Sequence, residues 1–113
     1  MPELTNIFKN FGINVNQDRF VTTTVCDGIA TIAIDNPPVN ALSNGVRQGI
    51  QRELSAAQTD PKIKAIVLRG IGRTFCAGAD IREFGKVREQ PWTAALALSA
   101  EKSSKPVVAV IHG

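Results

Sequence analysis

The sequence predicts an α/β domain, because strand-like and helix-like segments alternate along it. A run rich in β-branched residues, FVTTTVCDGIATIAI, starts at Phe20. It is followed by a segment with helical spacing and then by the short apolar run Ala65-Ile66-Val67-Leu68. A strand, helix, strand succession implies a crossover between parallel strands, and short continuous apolar runs are typical of such sheets.

Residues 1–19 are polar and Asn-rich, with Ile7, Phe8, Phe11 and Ile13 as apolar anchors, and read as a loosely docked N-terminal extension. The domain proper occupies residues 20–113. Its first two strands flank Asp27-Gly28, a pair that favours a tight hairpin turn. Asp35-Asn36-Pro37-Pro38 ends the second strand, since proline lacks the N–H that a ladder needs. Ser43 is a candidate N-cap for a helix running to about Gln58, and Val46, Ile50, Leu54 and Ala57 form its apolar face. Thr59-Asp60-Pro61 stops that helix, and Lys64 to Arg69 is the next strand. A second helix is predicted from Pro91 to about Lys102, with Trp92, Ala95, Leu96, Leu98 and Ser99 on its packed face. Lys105-Pro106 breaks it, and Val107 to Ile111 reads as a strand buried on both faces.

Composition narrows the function classes. The chain has 113 residues, 43% hydrophobic and 20% charged, which fits one ordinary globular domain and argues against disorder. Its formal net charge of +3 comes from dispersed Lys and Arg, so it fits a small anionic ligand better than a nucleic-acid tract. Cys26 and Cys76 read as two buried, reduced thiols, and with no signal-peptide pattern at the N-terminus this predicts a cytoplasmic or other intracellular compartment. His112 is the single histidine and has no ligand-spaced partner, so no metal site is predicted. No apolar run approaches the ~18 residues of a membrane span.

The stretch RGIGRTFCAGADIREFG, from Arg69 to Gly85, concentrates the chemistry. Small residues at Ala77, Gly78 and Ala79 follow an apolar strand and precede a helix-like start at Asp80. Such a turn leaves backbone N–H groups uncovered, and these attract a negative oxygen. Spacing alone leaves two readings open: a tight packing turn, or one arm of an oxyanion hole. Gly70-Ile71-Gly72 begins a dinucleotide fingerprint, but Phe75 stands where the third glycine belongs, which excludes that reading. Glu83 and Arg73 read as surface charges, Asp80 as the cap of the following turn, and His112 as structural, having no Ser or Asp motif to orient it.

FCAGADIREF resembles the signature of the enoyl-CoA hydratase/isomerase (crotonase) superfamily. Asn36-Pro37-Pro38-Val39-Asn40-Ala41-Leu42-Ser43 upstream and Lys105-Pro106-Val107-Val108-Ala109-Val110-Ile111-His112-Gly113 downstream are similar to two further features of that family. The resemblance covers residues 20–113 and is nearest to the hydratase/isomerase portion of multifunctional fatty-acid β-oxidation enzymes. It implies the N-terminal half of a crotonase-like ββα spiral domain. It further implies an acyl-CoA thioester as ligand, with coenzyme A arriving as part of the substrate and no permanently bound cofactor. Ala41 and Leu42 would contact coenzyme A, Ala77, Gly78, Ala79, Asp80 and Ile81 would line the pocket, and Ala79 would donate its backbone N–H to the thioester oxygen.

In that family the second oxyanion donor and the acid/base glutamates follow the strand ending in a His-Gly or Glu-Gly pair. Here that pair is His112-Gly113, so the 113 residues are expected to be a domain truncated after this strand and inactive alone. The expected partners are the remainder of the parent domain or further copies of the chain, with no nucleic acid. Alternative functions are a non-catalytic CoA-binding or interaction module, or another reaction of the superfamily such as thioester hydrolysis or decarboxylation.

Overall fold

The turn at Asp27-Gly28 sets the first part of the fold. Asp27 has φ 52° and Gly28 φ 81°, the pair of positive values that a two-residue hairpin of type I′ requires. Strands β2 (Val21–Cys26) and β3 (Ile29–Ile34) therefore pair antiparallel, from Cys26↔Ile29 to Val21↔Ile34. The computed structural model describes residues 14–17, 20–76, 78, 91 and 93–112. Within the stretch read as a loose extension it shows a strand, β1 (Asn14–Gln17), antiparallel to β2. Its sequence, NVNQ, has no apolar alternation, and the pairing is one of backbone groups.

Helix α1 (Asn44–Thr59) begins where predicted: the Ser43 Oγ accepts a hydrogen bond from the Val46 N–H at 3.4 Å. It ends at Asp60, whose backbone is extended and whose side chain accepts from the Lys62 N–H at 2.9 Å. Lys105 then covers the helix end, its Nζ donating to the carbonyls of Ala57 and Asp60 at 2.6 Å each. A cation there satisfies the last carbonyls and meets the negative end of the helix dipole. The predicted apolar face of α1 is buried in full, at Val46, Ile50, Leu54 and Ala57. The helix lies so near the sheet that a Cβ at Gly49 would stand 2.5 Å from the Val21 Cγ2, and one at Gly45 2.5 Å from the Phe20 ring.

Strand β4 (Ala65–Gly70) runs parallel to β3, in register from Ile29↔Ala65 to Ile34↔Gly70, with α1 as the crossover. β5 (Val107–Val110) is parallel to β4. The five strands stand in the order β1-β2-β3-β4-β5. One face carries Val21, Ala30, Ile32, Ile34 and Ile66 and packs with the apolar faces of α1 and of α2 (Thr93–Glu101) into one core.

Three expectations need correction. Leu96 is the buried residue of α2, while Ala95, Leu98 and Ser99 of the predicted face are exposed. TAALALSAE is apolar nearly all round, so its sequence does not single out one face. Val108 and Val110 are 55% and 48% exposed rather than buried: β5 is the edge strand, and its Val107 alone among the described residues of the strand packs against the core. Cys26 is exposed at the hairpin and Cys76 half-buried, and both are free thiols.

Candidate functional site

Parallel pairing of β3, β4 and β5 brings the C-terminal ends of these strands to one edge of the sheet, where ligands bind in open α/β sheets. Three segments leave from that edge: residues 35–43 after β3, residues 71–76 and 78 after β4, and residues 111–112 after β5. Side chains and backbone tie them together.

Asn40 is the principal tie between the first two. It is 2% exposed and has φ 55°, a left-handed conformation that asparagine tolerates better than most residues. Its Nδ2 donates to the carbonyls of Ile71 at 3.0 Å and Thr74 at 2.7 Å, and its Oδ1 accepts from the Asn36 N–H at 2.8 Å. Asn36 is itself buried and donates through Nδ2 to the Ala41 carbonyl at 2.9 Å. The third segment joins at His112, whose carbonyl accepts from the Phe75 N–H at 3.1 Å and whose Nε2 lies 3.0 Å from the Gly72 carbonyl.

Leu42, which the resemblance puts beside coenzyme A, and Gly78, which it puts in the pocket lining, meet directly. The Leu42 N–H donates to the Gly78 carbonyl at 2.8 Å. Gly78 has φ 99°, a conformation that favours glycine, and among the described residues no atom beyond its chain neighbours lies within 4 Å of where its Cβ would be. Its N–H points back to the Cys76 Sγ at 3.4 Å. Ala41 is held in the same loop through its carbonyl. Ala77, Ala79, Asp80, Ile81 and Glu83 lie outside the described residues.

An apolar cavity of about 240 Å³ opens beside this contact. Leu42, Phe75 and Cys76 form the wall next to Gly78, Ile50 and Leu54 of α1 and Leu68 of β4 the floor, and Thr93, Leu96 and Ala97 of α2 the far wall. No charged side chain lines it among the described residues, and no group of three His, Cys, Asp or Glu there is placed to hold a metal. The arrangement suits an aliphatic chain.

Sequence reasoning missed the residues that hold this site together. Asn36, Asn40 and Arg47 were not assigned roles, yet all are buried polar groups with backbone partners. Their long-range acceptors lie up to 44 residues away, beyond any spacing rule. The available signal was Asn-x-x-x-Asn across two prolines, a polar pair in a loop between apolar elements.

Comparison with known proteins gives the family and the fold. The profile described as enoyl-CoA hydratase/isomerase matches residues 24–113. The chain is 46% identical over 85 residues to the peroxisomal bifunctional enzyme of Danio rerio, a match covering 75% of this chain and 12% of that one. It is 40% identical over 95 residues to the peroxisomal fatty acid beta-oxidation multifunctional protein of Oryza sativa subsp. japonica, covering 77% and 13%. Among solved structures, an enoyl-CoA hydratase/carnithine racemase from Magnetospirillum magneticum superposes with a TM-score of 0.73 at 28% identity, covering 88% of this chain and 40% of that one. The chain thus spans about an eighth of the first two relatives and two fifths of the third. The mixed α/β fold is the crotonase-like one that the motifs implied.

Proposed function

This chain belongs to the enoyl-CoA hydratase/isomerase family, and we propose that it supplies the acyl-binding part and one oxyanion arm of an enzyme acting on enoyl-CoA thioesters in fatty-acid β-oxidation. The observation that supports the proposal is the Leu42 N–H bond to the Gly78 carbonyl beside an apolar cavity that Leu42 lines. A trans peptide holds its C=O and N–H on opposite sides. Fixing the Gly78 carbonyl toward Leu42 is therefore a way to present the following amide, that of Ala79, to a ligand on the other side.

In this reading the acyl chain enters the cavity and the thioester oxygen meets the Ala79 N–H, which stabilises the enolate as charge develops. Ala41 and Leu42 lie along coenzyme A, and Ala77, Gly78, Asp80 and Ile81 complete the rim. Apolar walls keep water from the acyl chain and strengthen the hydrogen bond to the oxygen by lowering the local dielectric. Coenzyme A is part of the substrate. Proton transfer to and from carbon requires an acid/base pair, and we assign none to the residues described.

Calorimetric titration with octanoyl-CoA and with free coenzyme A tests the binding reading. Tighter binding of the thioester is expected, and equal affinity for both would exclude the cavity as the acyl site. The Ala79 role is tested in an active enzyme containing this sequence: Ala79→Pro removes the donor and is expected to lower kcat by roughly 10²–10³ or more. Near-normal turnover in a folded Ala79→Pro enzyme excludes it.

A further inference from the structure

The geometry points to Arg47 as a positioning residue of the acyl-CoA site, a role that rests on the functional reading above. Arg47 lies near the start of α1 and is 1% exposed. A buried cation at that end meets the positive pole of the helix dipole, which is unfavourable for the helix itself. Its reason for being there lies in what it holds.

Its Nε donates to the Pro91 carbonyl at 2.7 Å and its Nη1 to the Leu42 carbonyl at 2.5 Å. Leu42 thus has both backbone polar groups engaged: the N–H by Gly78 and the C=O by Arg47. Pro91 stands just ahead of α2, which forms the far wall of the cavity. One guanidinium therefore fixes the loop on one side of the acyl cavity to the chain entering the other side. It sets the separation of the two walls and holds the Leu42 amide in line with the Gly78 carbonyl. The fork geometry matters, because the two acceptors are met by different nitrogens of one rigid plane, which a lysine ammonium cannot reproduce.

Amide hydrogen exchange by NMR, on the 113-residue chain and its Arg47→Lys variant, tests the role separately from ligand binding. The Leu42 amide is expected to be protected in the parent chain and to exchange about tenfold faster or more in Arg47→Lys. Amides of Ile32 and Ile66 in the core strands serve as the internal reference and should keep their protection. An unprotected Leu42 amide in the parent, unchanged Leu42 exchange in the variant, or loss at Leu42 in step with Ile32 and Ile66 would each overturn the positioning role. In parallel, octanoyl-CoA affinity should fall by about tenfold in Arg47→Lys. If the parent does not bind octanoyl-CoA, the functional reading fails, while the exchange pattern still decides whether Arg47 holds Leu42.

Discussion

The side-chain amide of Asn40 donates to the Thr74 carbonyl at 2.7 Å, joining residues 34 apart in sequence. That bond, with its companions to Ile71 and Asn36, fastens the loop after β3 to the loop after β4 and so fixes the mouth of the cavity. Asn40→Ala should destabilise the protein by about 2–4 kcal/mol, since it removes the partner of two part-buried carbonyls and of a buried N–H and forces alanine into positive φ. Asn40→Gly loses the same bonds without the conformational strain and should be less damaging by about 1 kcal/mol. Urea unfolding of the two variants checks both values.

Gly70→Ala should open the turn that presents Phe75. A Cβ at Gly70 would lie 2.5 Å from the Phe75 carbonyl oxygen and 2.6 Å from that of Thr74, and backbone atoms have little room to yield. The expected loss is roughly 1–3 kcal/mol, with weaker octanoyl-CoA binding because Thr74 is also the acceptor for Asn40. Parent-like values of both in the variant would contradict this.

Thr23 offers a change in the opposite direction. It is buried at 6% exposure in β2, and its Oγ1 has no hydrogen-bond partner among the described residues. Replacing a buried, unsatisfied hydroxyl with a methyl removes its desolvation penalty, and valine suits a strand at least as well. Thr23→Val is expected to stabilise by about 1 kcal/mol, visible as a higher urea midpoint at unchanged slope.

The exposed edge of the sheet should make the 113-residue chain self-associate. β5 presents Val108 and Val110, and Ile111 beyond it is 77% exposed. An apolar edge of this kind is a template for pairing with another strand. Sedimentation at micromolar concentration should show species larger than a monomer, and Val110→Lys should shift them toward the monomer.

The β2–β3 hairpin and helix α1 were legible because their signals are local. Asp27-Gly28 carries its own turn preference, and Val46, Ile50, Leu54 and Ala57 announce a face by their spacing. β1 escaped because NVNQ pairs through its backbone and carries no pattern. The pocket was legible only in part: Leu42 and Gly78 were assigned together through the family resemblance. The hydrogen bonds of Asn40 and Arg47 are made with distant carbonyls, which have no identity in sequence. Exposure along β5 was misjudged for a related reason, since an apolar run looks the same at the centre of a sheet and at its edge.

The strands lie side by side in the order in which they occur in the chain. During synthesis, at about 5–20 residues per second, each new strand emerges to find its neighbour already made, and a hairpin such as β2–β3 closes within about 1–10 μs. The sheet can therefore grow vectorially, one strand at a time, without waiting for a distant partner. The cavity mouth follows another schedule. Its walls need Gly78, Pro91 and the carbonyl of His112, so strands β1 to β4, which end at Gly70, can be paired on the ribosome well before the chain becomes competent to hold a ligand.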